Sequence, residues 1–130
     1  MPDFDTLSLP TSATAIAPDG SQVRVLLRLD GASMAHFALP AGQVSRAVTH
    51  RTVEELWFVL SGRGRMWRRQ HQREATVALE PGVCLTIPAG TSFQFRADPA
   101  SVLSVVAVTL PHWPGDDEAV PVDGCWPPSP

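Results

Sequence analysis

The stretch VTHRTVEELWFVLSG, residues 48 to 62, places a histidine and two adjacent glutamates at the entrance to an apolar run. An imidazole and a carboxylate five residues apart can hold a metal ion, or can exchange a proton with a bound molecule. His50 and Glu55 are therefore the first candidates for chemistry. Period-two alternation along a strand turns Glu54 to the opposite side, as a surface or dimer-edge residue. An ionised carboxylate in an apolar interior is costly unless it is paired or hydrogen-bonded. Glu55 is then either a structural carboxylate tied to His50 or an Arg, or a general acid/base whose pKa burial raises toward neutrality. His50 is either a satisfied interior histidine or the partner that tunes Glu55.

Other reactive side chains are scattered along the chain. His36 lies on the segment SMAHFAL and could point into the same interior. His71, in RRQHQRE, reads as a turn residue, and His112 sits by the last loop, where it could close a cavity mouth. Cys84 and Cys125 are far apart in sequence and read as two reduced thiols, because a cytosolic chain seldom keeps a disulfide; Cys84 inside a cavity is the alternative. Arg63, Arg65, Arg68, Arg69 and Arg73 cluster around Met66 and Trp67. A solvated hairpin pairing across a dimer with the GDDE segment is the preferred reading, with anion binding and a nucleic-acid patch as alternatives. No Ser-His-Asp order, phosphate loop or dinucleotide fingerprint is present.

The elements that must position these residues are short. Runs such as SQVRVLLRL, ELWFVL, EATVAL, TSFQFR and SVLSVVAVTL are punctuated by DG, LPAG, SGRG, EPG and PAG. Regular short strands with such turns predict an all-β sandwich or barrel of about eight to ten strands. At 130 residues the chain is expected to form one domain with room for a core and an internal cavity. Residues 1–19 read as a lead-in able to supply one edge strand, 20–110 as the barrel, and 111–130 as a Pro-rich tail without regular structure, pinned to the barrel by Trp113 and Trp126.

Composition narrows the partners. The net charge is −3, which favours neither nucleic acid nor an anionic membrane surface. All ten basic residues are Arg, so Schiff-base chemistry on lysine is excluded. The absence of Lys, Asn and Tyr reads as the codon bias of a GC-rich bacterial genome. The acidic N-terminus does not resemble a signal peptide, and no apolar run approaches a membrane span, so a cytoplasmic location is expected.

The spacing Gly42, Val48, His50, Glu55, Gly62, followed by Gly82, Pro88, Gly90, resembles the two motifs of the cupin family, and the resemblance runs from about Gly31 to Leu110. It implies a double-stranded β-helix (jelly-roll) barrel, often dimeric, with a site inside the barrel mouth. Cupin metal sites take two His one residue apart, then a Glu, then a His of the second motif. Here those positions read Val48, His50, Glu55 and Phe93, and the Asn usual later in the second motif is Ala97. Two of four ligand positions are apolar, and stable sites supply three or four protein ligands. No cofactor is therefore expected. The alternative is a divalent metal held by His50, Glu55 and a recruited His36. With positions 50, 55 and 93 inward, alternation sends Trp57, Val59, Thr91 and Phe95 inward as well. On residues 33–39 either Met34, His36 and Ala38 or the opposite set lines the cavity.

These readings converge on a small-molecule enzyme of the cupin fold that does metal-independent acid/base chemistry of the isomerase, cyclase or lyase type. Glu55 would transfer the proton and His50 would be its partner; Trp57, Phe93, Phe95, His36, Met34 and Val48 would shape the pocket. A non-catalytic metabolite-binding or sensing module is the alternative, and a metal-dependent dioxygenase with ligands from outside the motif is the third. The expected partners are a small-molecule ligand and a second copy of the chain.

Overall fold

The computed structural model describes residues 3–130, which form eleven strands in two antiparallel sheets. They are β1 (Ala15–Ile16), β2 (Gln22–Leu29), β3 (Ala32–Leu39), β4 (Val48–His50), β5 (Glu54–Ser61), β6 (Gly64–Gln70), β7 (Arg73–Leu79), β8 (Cys84–Ile87), β9 (Ser92–Ala97), β10 (Leu103–Leu110) and β11 (Ala119–Pro121). One sheet runs β1-β2-β3-β10-β5-β8 and the other β11-β4-β9-β6-β7. Consecutive strands repeatedly cross from one sheet to the other, which is the winding of a double-stranded β-helix. The count exceeds the expected eight to ten because β1 and β11 are only two and three residues long.

Alternation decides what each strand buries. Glu55, Trp57 and Val59 of β5 point inward, with Leu56, Phe58 and Leu60 outward. The register Phe37↔Val105 sets Phe37 on the same side as the buried Val105. The inward set of β3 is therefore Ser33, Ala35 and Phe37, and His36 faces the outer side of the sheet beside Arg24 and Val106. The core between the sheets is apolar and includes Leu39, Met66, Ile87, Phe95, Leu103 and Val105. At the first motif's final glycine the chain turns at φ 82°, and a Cβ there would lie 2.9 Å from the Cα of Leu103. Only glycine meets both conditions.

Strand β9 departs from alternation: Ser92 through Phe95 are all buried. The cause is the C-terminal segment, which crosses the outer side of β9. Gln94 is fully buried and uses its whole amide. Its Nε2 donates to the carbonyls of Ser45 and Trp126, each at 2.8 Å. Its Oε1 accepts from the backbone N–H groups of Cys125 at 2.9 Å and Trp126 at 3.0 Å. The Trp126 ring lies under the Arg96 guanidinium, 4.8 Å away. The tail is also more regular than its prolines suggest. Residues 116–118 form a 3-10 turn, and β11 pairs with β4 in the register Ala119↔His50.

The arginine hairpin is not joined to the acidic tail within the chain. Arg63 pairs with Glu80 at 2.7 Å on the surface, Arg69 lies over Trp67 at 5.2 Å, and Arg68 Nη1 donates to the carbonyl of Thr86 at 2.9 Å. Of the GDDE segment, Glu118 is turned inward and engaged with residues 52 and 53. Its buried carboxylate is thus withdrawn from the expected intermolecular pairing. His71 occupies the β6–β7 turn at φ 53°.

The four hydrogen bonds of Gln94 lead to a stability prediction. Gln94→Leu preserves approximate volume and strands two donors and two acceptors. We expect a loss of about 3 kcal/mol in urea unfolding. A change below about 0.5 kcal/mol would show that the clamp is energetically idle.

Candidate functional site

A cavity of about 280 Å³ opens between the sheets and is lined by Val48, His50, Glu55, Trp57, Phe93, Phe37 and their neighbours. Its size is at the lower end for ligand pockets, which suits a small metabolite. His50 ends β4, and Glu55 lies near the start of β5, after a three-residue connection. That connection is held by the tail. The Glu118 carboxylate accepts from the Thr52 N–H, from the Val53 N–H at 2.7 Å and from the Thr52 hydroxyl at 3.0 Å. The Arg51 N–H donates to the Glu118 carbonyl at 3.1 Å. One tail residue thus sets the path between the two candidate residues. Burial raises the pKa of Glu118, but these donors outweigh it and hold the group below the usual carboxylate range.

His50 Nδ1 and Glu55 Oε2 are 3.2 Å apart, and the residues are 5% and 4% exposed. The approach is off the line of a hydrogen bond, leaving Nδ1 buried without a satisfied partner. The imidazole is packed edgewise against two aromatic rings, Phe93 at 5.1 Å and Trp113 at 5.0 Å. This dry setting lowers the His50 pKa to about 4, against an opposing pull from the Glu118 charge. Glu55 is driven the other way. Burial pushes its pKa up to about 8, opposed by the indole N–H of Trp57, which donates to Oε1 at 3.3 Å, and assisted by the charge of Asp19. At neutral pH the pair is a carboxylic acid beside a neutral imidazole, not an ion pair.

The remaining expected residues divide. Val48, Trp57 and Phe93 line the cavity, and Met34 sits at its rim, half exposed. Phe95 does not line it: the ring is one layer deeper and packs edgewise on Trp57 at 4.9 Å. His36 does not line it either, because strand alternation places it on the outer face. Facing away from the cavity, it does not stand where a missing ligand would be needed. Several lining residues were not anticipated. Asp19, Ser33 and Thr109 bring polar atoms, and Trp113 forms part of the wall rather than only anchoring the tail. Ser33 and Thr109 share a hydrogen bond between their hydroxyls, and the Trp113 N–H donates to Ser33 Oγ at 3.0 Å. Thr109 is the cross-strand partner of Glu55. The only sequence signal for these residues is inward parity on β3 and β10; Asp19 sits in a PDG turn that reads as punctuation. His112 reaches the carbonyl of Asp30 through Nδ1 at 3.2 Å and is not a lining residue.

The four positions of a cupin metal site can be tested on this geometry. Val48 and Phe93 are direct cross-strand partners on β4 and β9. The two apolar replacements therefore sit side by side where nitrogen ligands would be needed. No group of three or more His, Cys, Asp or Glu side chains is arranged to hold an ion among the described residues. The residues present do not fit the family's metal.

Two facing sheets wound as a double-stranded β-helix, with polar groups gathered in the mouth, define a small β-barrel of the jelly-roll class. The chain belongs to the cupin family: the family model described as Cupin domain matches residues 35–109. Among solved structures it is similar to a cupin protein from Bacteroides fragilis, with TM-score 0.66 and 23% identity over 85% of this chain and 86% of that one. It is also similar to KdgF from Halomonas sp., with TM-score 0.68 and 15% identity over 87% of this chain and 98% of that one. An oxalate decarboxylase variant from Bacillus subtilis gives TM-score 0.74 at 12% identity, over 92% of this chain and 34% of that longer one. At these identities the likeness is one of fold. No curated protein matches the chain in sequence. No helix among the described residues is long and apolar enough to cross a membrane.

The two displaced pKa values predict how stability depends on pH. Above pH 4.5 the unfolded chain loses the Glu55 proton, whereas the folded chain keeps it until about 8. Folding stability should therefore fall as pH rises through this interval, by roughly 1.4 kcal/mol per pH unit. His50 acts in the opposite sense: its folded pKa of about 4 lies below 6.5, so stability is lost as pH falls from 6.5 toward 4. The two slopes oppose each other below 6.5, which leaves a decline between pH 6.5 and 8. Urea titrations across that window should show the decline in the wild type and a shallower one in Glu55→Gln. A decline of equal slope in the variant would remove Glu55 as its source.

Proposed function

We propose that the chain is a small-molecule enzyme performing metal-independent acid/base chemistry of the isomerase, cyclase or lyase type. The observation that carries this reading is the buried Glu55 carboxyl, 3.2 Å from a buried imidazole, in a cavity with largely apolar walls. A carboxyl with a pKa near 8 can give and retake a proton close to neutral pH, where such transfer is most effective. The neutral His50 imidazole, 3.2 Å away, packs beside the acid and helps fix its orientation while it acts. Trp57 holds one carboxyl oxygen and leaves the other toward His50. Phe93 and Trp113 keep water away from the imidazole. Nothing in this scheme calls on a cation.

The test is an incubation of the protein with a small-molecule bacterial metabolite extract in deuterated buffer, read by mass spectrometry. Wild type, purified gently and then dialysed against a chelator, should convert a constituent or load it with deuterium. Glu55→Gln should reduce that change by about 100-fold or more while remaining folded. Equal rates in the two proteins would make the carboxyl structural. Activity that disappears on dialysis and returns with a divalent metal would replace the proposal with metal-dependent chemistry. A constituent retained by both proteins and altered by neither would make the chain a metabolite-binding module.

We further propose a homodimer formed through the outer face of the larger sheet. Met34, Leu56, Phe58, Leu60 and Leu110 point outward there and are 36% to 50% exposed, with Val106 and Val108 between them. Together they present on the order of 400 Å² of apolar surface, a size that marks an interaction site. That is about half of what each partner buries in a standard interface, and the surrounding strand ends can supply the rest. Light scattering at micromolar concentration should return twice the chain mass for wild type and a single chain for Phe58→Glu. A monomeric wild type overturns the assignment, and a dimeric Phe58→Glu moves the interface elsewhere.

A further inference from the structure

We propose that Asp19 is a second catalytic carboxyl of this cavity, acting as the base toward a C–H of a small carbonyl compound whose oxygen is served by Glu55. The inference rests on the acid/base reading of Glu55 and adds the partner residue and the substrate class.

Asp19 lies in the tight turn that links β1 to β2. The turn is closed by Ala17 N–H donating to the Ser21 carbonyl and Gly20 N–H donating to the Ala17 carbonyl, both at 2.9 Å. It is fastened to the barrel by Arg46, whose N–H donates to the Asp19 carbonyl at 2.7 Å and whose Nη1 donates to the Pro18 carbonyl at 3.2 Å. The residue is 8% exposed and lines the same cavity as Glu55. Its two oxygens are treated differently. Oδ1 accepts from the Ser21 N–H at 2.9 Å and from the Ser21 hydroxyl at 2.7 Å. Oδ2 accepts no hydrogen bond from the described residues. One oxygen is thus fixed by the turn, while the other is free of hydrogen bonds from the described residues. It is well arranged to take up a proton from a molecule in the cavity.

The two acids are not equivalent. Burial raises the Asp19 pKa and outweighs the opposing pull of the Ser21 donors and the Arg46 charge. Among the described residues Glu55 has one indole donor and no cation, and the charge on Asp19 raises its pKa further. Two Ser21 donors hold the Asp19 carboxylate, against one indole donor on Glu55, so of the pair Asp19 is the one equipped to act as the base. This is the division needed to enolise a carbonyl compound. The Asp19 carboxylate removes H⁺ from the carbon next to the carbonyl, and the C–H electron pair becomes the C=C bond. The C=O π pair moves to oxygen, which takes the proton of Glu55. The enol, protonated Asp19 and ionised Glu55 result. Return of a proton from Asp19 to carbon, with recovery of the O–H proton by Glu55, restores both residues. The substrate is isomerised, epimerised or left with an exchanged hydrogen, and no oxidant or reductant is involved.

The experiment follows wash-in of deuterium by proton NMR, with 2-butanone, cyclohexanone, dihydroxyacetone and 2-oxobutyrate as probes in deuterated buffer near neutrality. Wild type should exchange the hydrogens next to the carbonyl of at least one probe faster than buffer alone. Asp19→Asn, which keeps the Oδ1 acceptor and removes the base, should slow that exchange about 100-fold or more. Ser21→Ala, which leaves the carboxylate but removes one donor to it, should slow exchange about tenfold, and it provides a readout that does not need Asp19→Asn to fold. Wild-type rates in Asp19→Asn or in Ser21→Ala, with Glu55→Gln inactive, overturn the role of Asp19 and leave that of Glu55 standing. Wild-type rates in Glu55→Gln as well overturn both. Absence of exchange with all four probes in the wild type overturns the carbonyl assignment, independently of the metabolite-extract result.

Discussion

The site depends on one constraint: a carboxyl group sits in a dry, aromatic cavity with no cation close enough to neutralise it. Desolvating an unpaired carboxylate costs several kcal/mol, so the group answers by keeping its proton. The surroundings are consistent with that outcome. The neighbouring imidazole is itself desolvated between Phe93 and Trp113 and is therefore neutral. Among the described residues the one direct donor to Glu55 is the Trp57 indole, a neutral group. In the family's metal-binding arrangement a cation would hold Glu55 ionised. With Val48 and Phe93 in place of two ligands, the same backbone carries an acid instead.

Holding that arrangement falls largely to segments outside the two motifs. Glu118, from the tail, fastens residues 51–53 and so sets the distance between His50 and Glu55. The tail is in turn fastened by Gln94. The lead-in supplies the opposite wall: the turn at 17–21 brings Asp19 to the cavity, and β1 covers part of its edge. A barrel of this size has little core to spare for an internal cavity. Wrapping both terminal segments around the mouth lets the central strands stay apolar while polar groups arrive from the periphery.

The two faces of the larger sheet show how the same strands serve different ends. Inward residues of β5 and β10 give Glu55, Trp57 and Thr109 to the site; outward residues give Leu56, Phe58, Val106 and Val108 to an apolar surface. His36 belongs to the second set. Its place beside Arg24 and its facing away from the cavity follow from a single step of strand parity.

By itself the sequence determined the strand-and-turn pattern, the barrel class, the pairing of His50 with Glu55 as the chemically notable residues, and the loss of two metal-ligand positions. These are local: they follow from side-chain alternation, from glycine and proline in turns, and from spacing within one motif. It also determined the inward row of β5, since a buried charged position anchors the parity of its neighbours. What it left open was which face of residues 33–39 looks inward, because both rows are mixed in polarity and only the pairing Phe37↔Val105 decides between them. It gave no sign that Asp19 and Thr109 would meet at one cavity, or that Glu118 would fasten the connection between His50 and Glu55. Asp19 is 90 positions from Thr109, Glu118 is 65 from Val53, and no periodicity links either pair. Their meeting is decided by how the sheets wind and by where the termini pack, which are properties of tertiary contacts and not of any local stretch of chain.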